Sequence, residues 1–221
     1  MKPTLSHPQP SELAEALSSL ERFIHFDTEL PLLIKIGLVH AQFETIHPFQ
    51  DGNGRVGRLL ITFLLCQQYV LTKPVLYLSY FFKRYRQQYY DELQEVRDAG
   101  SWEKWLAFFL RGVITVSAQA TDTIQRILAL REKHRQVITE HFDRAAAKGY
   151  RVLESLYRWP VVSVRDVQEL IGTAFPAGNN LVARLVEYGI LREFTGQARN
   201  RAFIYQSYLD LFHETEQEGE A

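Results

Sequence analysis

Twelve consecutive residues, His47-Pro48-Phe49-Gln50-Asp51-Gly52-Asn53-Gly54-Arg55-Val56-Gly57-Arg58, concentrate most of the reactive chemistry of this 221-residue chain. Two glycines flank Asn53, and the loop opens directly onto an apolar helix. Glycine permits positive φ and a close backbone approach. Successive amides in such a loop can point into one concavity, and a helix N-terminus adds positive potential. Gly52, Asn53 and Gly54 therefore form a candidate phosphate cradle. Asp51 offers a hard oxygen of the kind that Mg²⁺ uses beside phosphate oxygens. Arg55 and Arg58 sit three apart at the helix start, placed to act together on phosphates. His47, held at the loop entrance by Pro48, is the general base nearest the cradle. A glycine turn or a lone histidine alone would be weak evidence. Base, carboxylate, nest and two arginines within twelve residues are much less expected by chance.

The elements that must position this loop read as helices. Residues 1–10, with Pro3, Pro8 and Pro10, form an extended lead-in. Ser11 can cap a first helix with Leu13, Leu17, Leu20 and Ile24 as its apolar stripe. Pro31 can begin a second, carrying Leu32, Ile36, Val39, His40, Phe43 and Ile46 at helical spacing. Pro48 ends it, because it disfavours helical dihedrals at His47 and lacks an N–H. An apolar helix then runs from about Arg55 to Tyr69, and Pro74 marks the next break. Further helices are predicted over about 80–97, 101–116 and 118–141. The last is the more charged.

After Gly149 the pattern changes. Helices are predicted at 150–158, from a Ser163 cap, and at 176–187. Strands follow at 189–194 and 202–205, joined by a polar turn containing Gly196. Three helices and a hairpin outline a winged helix-turn-helix. The expected fold class is mainly α. A helical core at 11–116 leads into a linking helix at 117–147, a winged-helix module at 148–212 and an acidic tail at 213–221.

Composition narrows the function classes. The chain is 46% hydrophobic and 23% charged with net charge -1, a globular balance with no bulk pull toward nucleic acid or membrane. One cysteine, Cys66, excludes an internal disulfide framework and suits a reducing cytoplasm. Its apolar neighbours mark it as a core residue. No apolar run reaches membrane-spanning length, so no membrane partner is expected.

The twelve-residue stretch resembles the full signature of Fic-domain proteins, H-P-F-x-[D/E]-G-N-G-R-x-x-R. His40–Ile46 and Leu76–Ser79 are also similar to Fic sequence, and the likeness covers about 8–115. Residues 148–212 are similar to the winged-helix tail of many bacterial Fic proteins. The resemblance implies a protein adenylyltransferase. His47 would deprotonate a Ser, Thr or Tyr hydroxyl, which attacks the α-phosphate of ATP. Asp51 would hold Mg²⁺, Gly52, Asn53 and Gly54 would cradle phosphates with Arg55 in support, and Arg58 would engage the γ-phosphate. Phe49 would anchor the loop in the core. Gly54 favours AMP transfer, since the phosphorylating Doc-like branch carries a basic residue there. Tyr85 and Tyr90, with Tyr89, are candidates for the adenine pocket, against the commoner core role of helical aromatics.

The family's β-hairpin flap and its inhibitory helix, [S/T]-x-x-x-E-[G/N], have no counterpart in this reading. The nearest match, Ser11-Glu12-Leu13-Ala14-Glu15-Ala16, ends in alanine. Arg58 is therefore expected to be available to ATP. His40, Glu44 and His47 also have a metal-like spacing, which the phosphate reading outweighs because Pro48 redirects His47. Expected partners are ATP, a hydroxyl-bearing target protein, a second copy of the chain, and DNA through Asn179, Asn180 and Arg184 of the recognition helix with Arg199 and Arg201 of the wing. The competing function is a nucleotide-sensing DNA-binding regulator with an impaired Fic core. Residues 148–212 carry eight Lys/Arg against six Asp/Glu, which leaves DNA and protein contacts equally open.

Overall fold

A computed structural model describes residues 10–26, 29–71, 77–197 and 199–217. It divides into two compact units, Met1–Ala120 and Thr121–Ala221. The first contains α1 (Pro10–His25), α2 (Leu32–Ile46), α3 (Asn53–Gln67), α4 (Leu78–Arg84), α5 (Arg86–Ala99) and the beginning of α6 (Trp102–His141). Helix α2 is apolar on nearly every face, the signature of a helix surrounded by others. It packs against α1, α3 and α5. Its Ile36, Val39, Ala41, Phe43 and Ile46 are buried. From α6, buried Trp105 donates its indole N–H to Gly37 O at 2.8 Å. A side chain at Gly37 would come within 2.9 Å of Leu106, so glycine permits this close helix crossing.

Two helix boundaries differ from expectation. The predicted helix over 80–97 is broken at Tyr85, whose φ of -102° and ψ of 40° leave the helical region. No breaker stands there. Tyr85 packs on Phe81 at 4.6 Å, with Arg84 and Arg111 over its ring, so tertiary contacts accompany the kink. Conversely, α6 is one helix of 40 residues, where the sequence reading begins a new one at Ala118. Ser117-Ala118 contains no breaker, so the backbone ladder continues. The start of α1 at Pro10 puts Ser11 inside the helix, not at its cap. Pro74 and Leu76 lie outside the described residues.

The second unit contains the rest of α6, a 3₁₀ turn at Asp143–Ala145, α7 (Ala146–Leu156), β1 (Val161–Ser163), α8 (Val164–Ile171), α9 (Phe175–Glu187), β2 (Arg192–Glu193), β3 (Ala202–Ile204) and α10 (Gln206–Gln217). The antiparallel sheet has the order β1-β3-β2, with Phe203 opposite both Val162 and Glu193. Ser163 caps α8 as expected, in a capping box with Asp166. The predicted strand over 189–194 shrinks to two residues, because Gly189 at φ 70° is still turning out of α9. Strand β1 and helix α10 were not foreseen. Buried Ile138, Phe142, Leu153, Leu156, Leu185, Phe203 and Tyr205 form this unit's core. No described helix is long and apolar enough to cross a membrane.

Candidate active site

The site begins where α2 stops. His47 is the C-cap of α2 in the left-handed conformation, φ 50° and ψ 58°, with its N–H donated to Phe43 O at 3.0 Å. That conformation costs a non-glycine residue about 1 kcal/mol or more and marks functional turns. Pro48 forces the break, since the residue before proline avoids the right-handed helical region. The His47 side chain is half-buried at the mouth of the loop.

The loop is closed from within by Asn53. Its side chain is buried, accepts from Phe49 N at 2.8 Å and donates to Phe49 O at 2.5 Å. Asn53 thus shapes the loop with its amide group. Phe49 does not anchor in the core. It is 48% exposed and reaches Phe43 only at 6.4 Å between ring centres. The two-point clamp by Asn53 does the fastening that the sequence reading gave to the phenyl ring.

Gly52, at φ 88°, is the N-cap of α3. Its carbonyl accepts from the amides of Arg55 and Val56, each at 3.0 Å. The amides of Asn53 and Gly54 therefore precede the helical hydrogen-bond ladder, the position from which helix N-termini bind anions. Arg55 pairs with Asp51 at 3.1 Å, with the two side chains 76% and 93% exposed. Such a surface pair contributes about 0–1 kcal/mol, so both groups can turn to a ligand at little cost. The Arg58 guanidinium folds back over Gly54. A Cβ at Gly54 would lie 3.0 Å from Arg58 Nη1. Any side chain at 54 presses on this arginine, and a basic one would also repel it.

Beneath the loop, α3 meets α2 at Gly57. A Cβ there would lie 2.4 Å from Glu44 Oε1 and 3.1 Å from His40 Cε1. His40 is fully buried between the Phe82 and Trp105 rings. Its Nδ1 faces Gly57 O at 3.0 Å, so Nδ1 carries the proton, and Nε2 accepts from the Tyr89 hydroxyl at 3.0 Å. Burial lowers the His40 pKa to about 4. Burial also raises the Glu44 carboxyl above the usual range, against the opposing charges of Arg58 and Arg97. Glu44 Oε1 is buried with no hydrogen-bond partner among the described residues. No group of three His, Cys, Asp or Glu among them is placed to hold a metal ion. The metal-like spacing of His40, Glu44 and His47 is thus a packing pattern: both His40 nitrogens are engaged.

The tyrosines separate. Tyr89 belongs to the core, held by His40. Tyr85 and Tyr90 are 37% and 50% exposed, Tyr85 at the α4–α5 break and Tyr90 edge-on to Tyr89. In the second unit, the side chains expected to meet DNA are largely engaged within the chain. Arg184 donates to His141 O and lies over the Phe142 ring at 4.7 Å. Asn179 accepts from Arg201 at 3.0 Å. Asn180 and Arg199 remain exposed.

The sequence reading missed Arg97 altogether. From the last turn of α5 it donates Nη2–H to Glu44 O and Nε–H to Thr45 Oγ1, the latter at 3.4 Å. Its one signal was indirect: Pro48 leaves a carbonyl near the end of α2 without its usual donor.

Known proteins resemble this chain over parts of its length. Residues 4–65 match the family model described as the Fic/DOC family. A probable protein adenylyltransferase of Aquifex aeolicus (strain VF5) is 29% identical over 93 residues, 42% of this chain and 27% of that protein. A Fic family protein from Desulfovibrio desulfuricans G20 of known crystal structure has a similar fold, with a TM-score of 0.52 and 20% identity. That likeness covers 90% of this chain and 56% of the other. The chain thus spans about a quarter of the curated relative and just over half of the solved one. The matched segment includes His47–Arg58 and the loop-bearing ends of α2 and α3, and over it the chain is similar to the Fic/DOC family.

Proposed function

We propose that this protein transfers AMP from ATP to a hydroxyl of a Ser, Thr or Tyr on a target protein. The observation that carries the reading is the loop itself. A strained His47 and exposed Asp51 lie on one Asn53-clamped turn, which leads into the amides at the start of α3 and the Arg55 and Arg58 of its first turns. The general base and the anion-binding groups are thereby held on a rigid frame, which is what phosphate chemistry demands of a protein.

In this mechanism His47 accepts the hydroxyl proton as the oxygen attacks the α-phosphorus. The new P–O bond to the target forms as the bond to pyrophosphate breaks, and pyrophosphate departs with the electron pair. The amides of Gly52, Asn53 and Gly54 and the Arg55 guanidinium hold phosphate oxygens. Arg58 orients the triphosphate through its γ-phosphate. Tyr85 and Tyr90 are the candidates to line the adenine. Asp51 fits a magnesium site: one accessible carboxylate beside a phosphate cradle is the donor set that Mg²⁺ takes with nucleotides. When bound there, the ion would neutralise phosphate charge.

For residues 148–212 we propose a winged helix-turn-helix, from the order α7, β1, α8, α9, β2, β3 and its three-stranded sheet. A second copy of the chain and DNA are its proposed partners. The nucleotide-sensing DNA regulator ranks behind the enzyme, because Asn179, Arg184 and Arg201 are bonded within the chain. The lone Cys66 accords with a cytoplasmic setting.

Incubation with ATP–Mg²⁺ followed by mass spectrometry tests the reading. An added AMP on the protein or on a target should appear, and His47→Ala should reduce its formation about 100-fold or more. Arg58→Ala should weaken ATP affinity. No AMP adduct, or equal labelling by His47→Ala, would sink the enzyme. Equal ATP affinities would sink the role of Arg58.

A further inference from the structure

We infer that Arg97 is a positioning residue for His47: its guanidinium replaces the hydrogen bond that Pro48 cannot make. The inference rests on the reading of His47 as general base. In a continuing helix the carbonyl of Glu44 would accept from the amide four residues on. That residue is Pro48, which has no N–H. The next amide back, His47 N, is already given to Phe43 O. The end of α2 is therefore left with an unsatisfied carbonyl one turn below His47.

Arg97 fills this gap from another helix. Its Nη2 donates to Glu44 O, and its Nε donates to Thr45 Oγ1 at 3.4 Å. Thr45 in turn donates its hydroxyl to Ala41 O at 2.8 Å, so the guanidinium grips the final turn at two points. The guanidinium is half-buried; burial lowers its pKa, and the Glu44 carboxyl beside it works against that shift. Helix α5 is itself fixed by buried Tyr89, Leu93 and Val96. The His47 ring projects from a single left-handed residue directly after this turn, so the orientation of the turn sets the orientation of the base. Among the described residues its hydrogen bonds reach only Glu44 and Thr45; the groups assigned to the phosphates lie on the loop and α3, and Tyr90 stands seven residues before it on α5. Its loss should move the base and leave the nucleotide site in place.

The test uses the full chain carrying Arg97→Met, which keeps the apolar stem and removes the donors, and Arg97→Lys, which keeps one donor group. ATP–Mg²⁺ affinity, kcat for AMP transfer and the imidazole NMR signals of His47, assigned with His47→Ala, are measured on each. Arg97→Met should lower kcat about 10- to 100-fold, the scale of a misplaced catalytic group. Its ATP dissociation constant should stay within about twofold of wild type, and its His47 signals should shift. Arg97→Lys should recover part of kcat and part of the shift. Wild-type kcat with unmoved His47 signals would overturn the inference. So would a joint loss of affinity and kcat without recovery in Arg97→Lys, which would mark a purely structural arginine. Should Arg97→Met fail to fold, Arg97→Lys decides by its own His47 shift and kcat. If wild type transfers no AMP, the functional reading fails, while the His47 signals still decide whether Arg97 positions the ring.

Discussion

Each unit of the chain buries a histidine against a tyrosine hydroxyl, yet the two pairs support different surfaces. In the first, His40 joins Tyr89 to the backbone carbonyl of Gly57, on the helix that carries Arg55 and Arg58. In the second, His134 bonds Tyr205 at 2.8 Å, and Tyr205 meets Tyr157 at 3.3 Å. Burial lowers both histidines to about 4. Above the first pair, polar groups point outward: Asp51 and Arg55 are nearly fully exposed and share one weak ion pair. In the second unit, polar side chains of α9 and the wing turn back onto the chain. A buried polar hub fixes a frame in both cases. Chemistry is available only where the frame leaves its charged groups without strong internal partners.

Acid should weaken the first hub. Unfolded, His40 takes up a proton near its ordinary value of 6.5. Folded, it does so only near 4. The unfolded chain therefore binds more protons between these values, and stability falls as pH drops through that window. The depressed histidine contributes its full share above pH 6.5 and loses about 3 kcal/mol by pH 4. Glu44 opposes the trend, because its raised carboxyl favours the protonated folded state as pH falls. Urea unfolding followed by tryptophan fluorescence, where Trp105 reports on the first unit, should show this slope between pH 7 and 5. His40→Gln should flatten it. An unchanged slope in that variant would remove His40 as the hub.

Glycine substitutions sharpen the contrast. At Gly57 an added methyl meets a buried carboxylate oxygen at 2.4 Å and two buried rings at 3.1 and 3.2 Å. The carboxylate must turn aside and both rings must give by a few tenths of an ångström. Overpacking of this kind costs about 1–3 kcal/mol, partly offset by a gain of about 1 kcal/mol in helix propensity. Gly57→Ala should therefore destabilise the first unit by up to about 2 kcal/mol and weaken ATP binding through Arg58. At Gly149, in α7, the methyl meets Ile138 Cγ2 at 3.0 Å and Phe142 Cδ1 at 3.2 Å, and a shift of a few tenths of an ångström suffices. Gly149→Ala should change stability by less than about 1 kcal/mol. Thermal unfolding of both variants checks the pair. Equal losses would show that the two interfaces are packed alike.

These contrasts also explain what could be read from the sequence. The loop was legible because its chemistry is contiguous and punctuated by proline and glycine, whose dihedral limits act locally. The end of α2 before Pro48, and Gly52 at the start of α3, follow from Pro48 and the Gly-Asn-Gly run. The Ser163 capping box was legible for the same reason. Features set by distant contacts were not. The break at Tyr85 coincides with Phe81, Arg84 and Arg111, not with a breaker. Strand β1 has three residues and exists by pairing with β3, which lies about forty residues later. Arg97 caps a turn over fifty residues earlier in the chain. Phe49 was misplaced because a large aromatic ring beside a polar turn reads as its anchor, whereas the buried fastening is the polar Asn53. Arg184 reads as a base-contacting residue by its place on α9, and only the fold reveals the carbonyl of His141 as its partner.

That last residue gives the comparison its finest test. If the second unit spends its arginine internally, Arg184→Ala should act on stability. The variant loses a charged hydrogen bond to His141 O and a cation–π contact with Phe142. Together these contribute about 1–2 kcal/mol at a half-buried position. Thermal unfolding should shift accordingly. Affinity for a mixed-sequence DNA duplex at low salt should stay within about twofold of wild type, because one phosphate contact fewer would show as a reduced salt slope. Unaltered stability with a marked fall in DNA affinity and in that slope would mean that Arg184 turns outward to a ligand. The two units would then differ in what they bind, not in whether their charged groups are free to bind it.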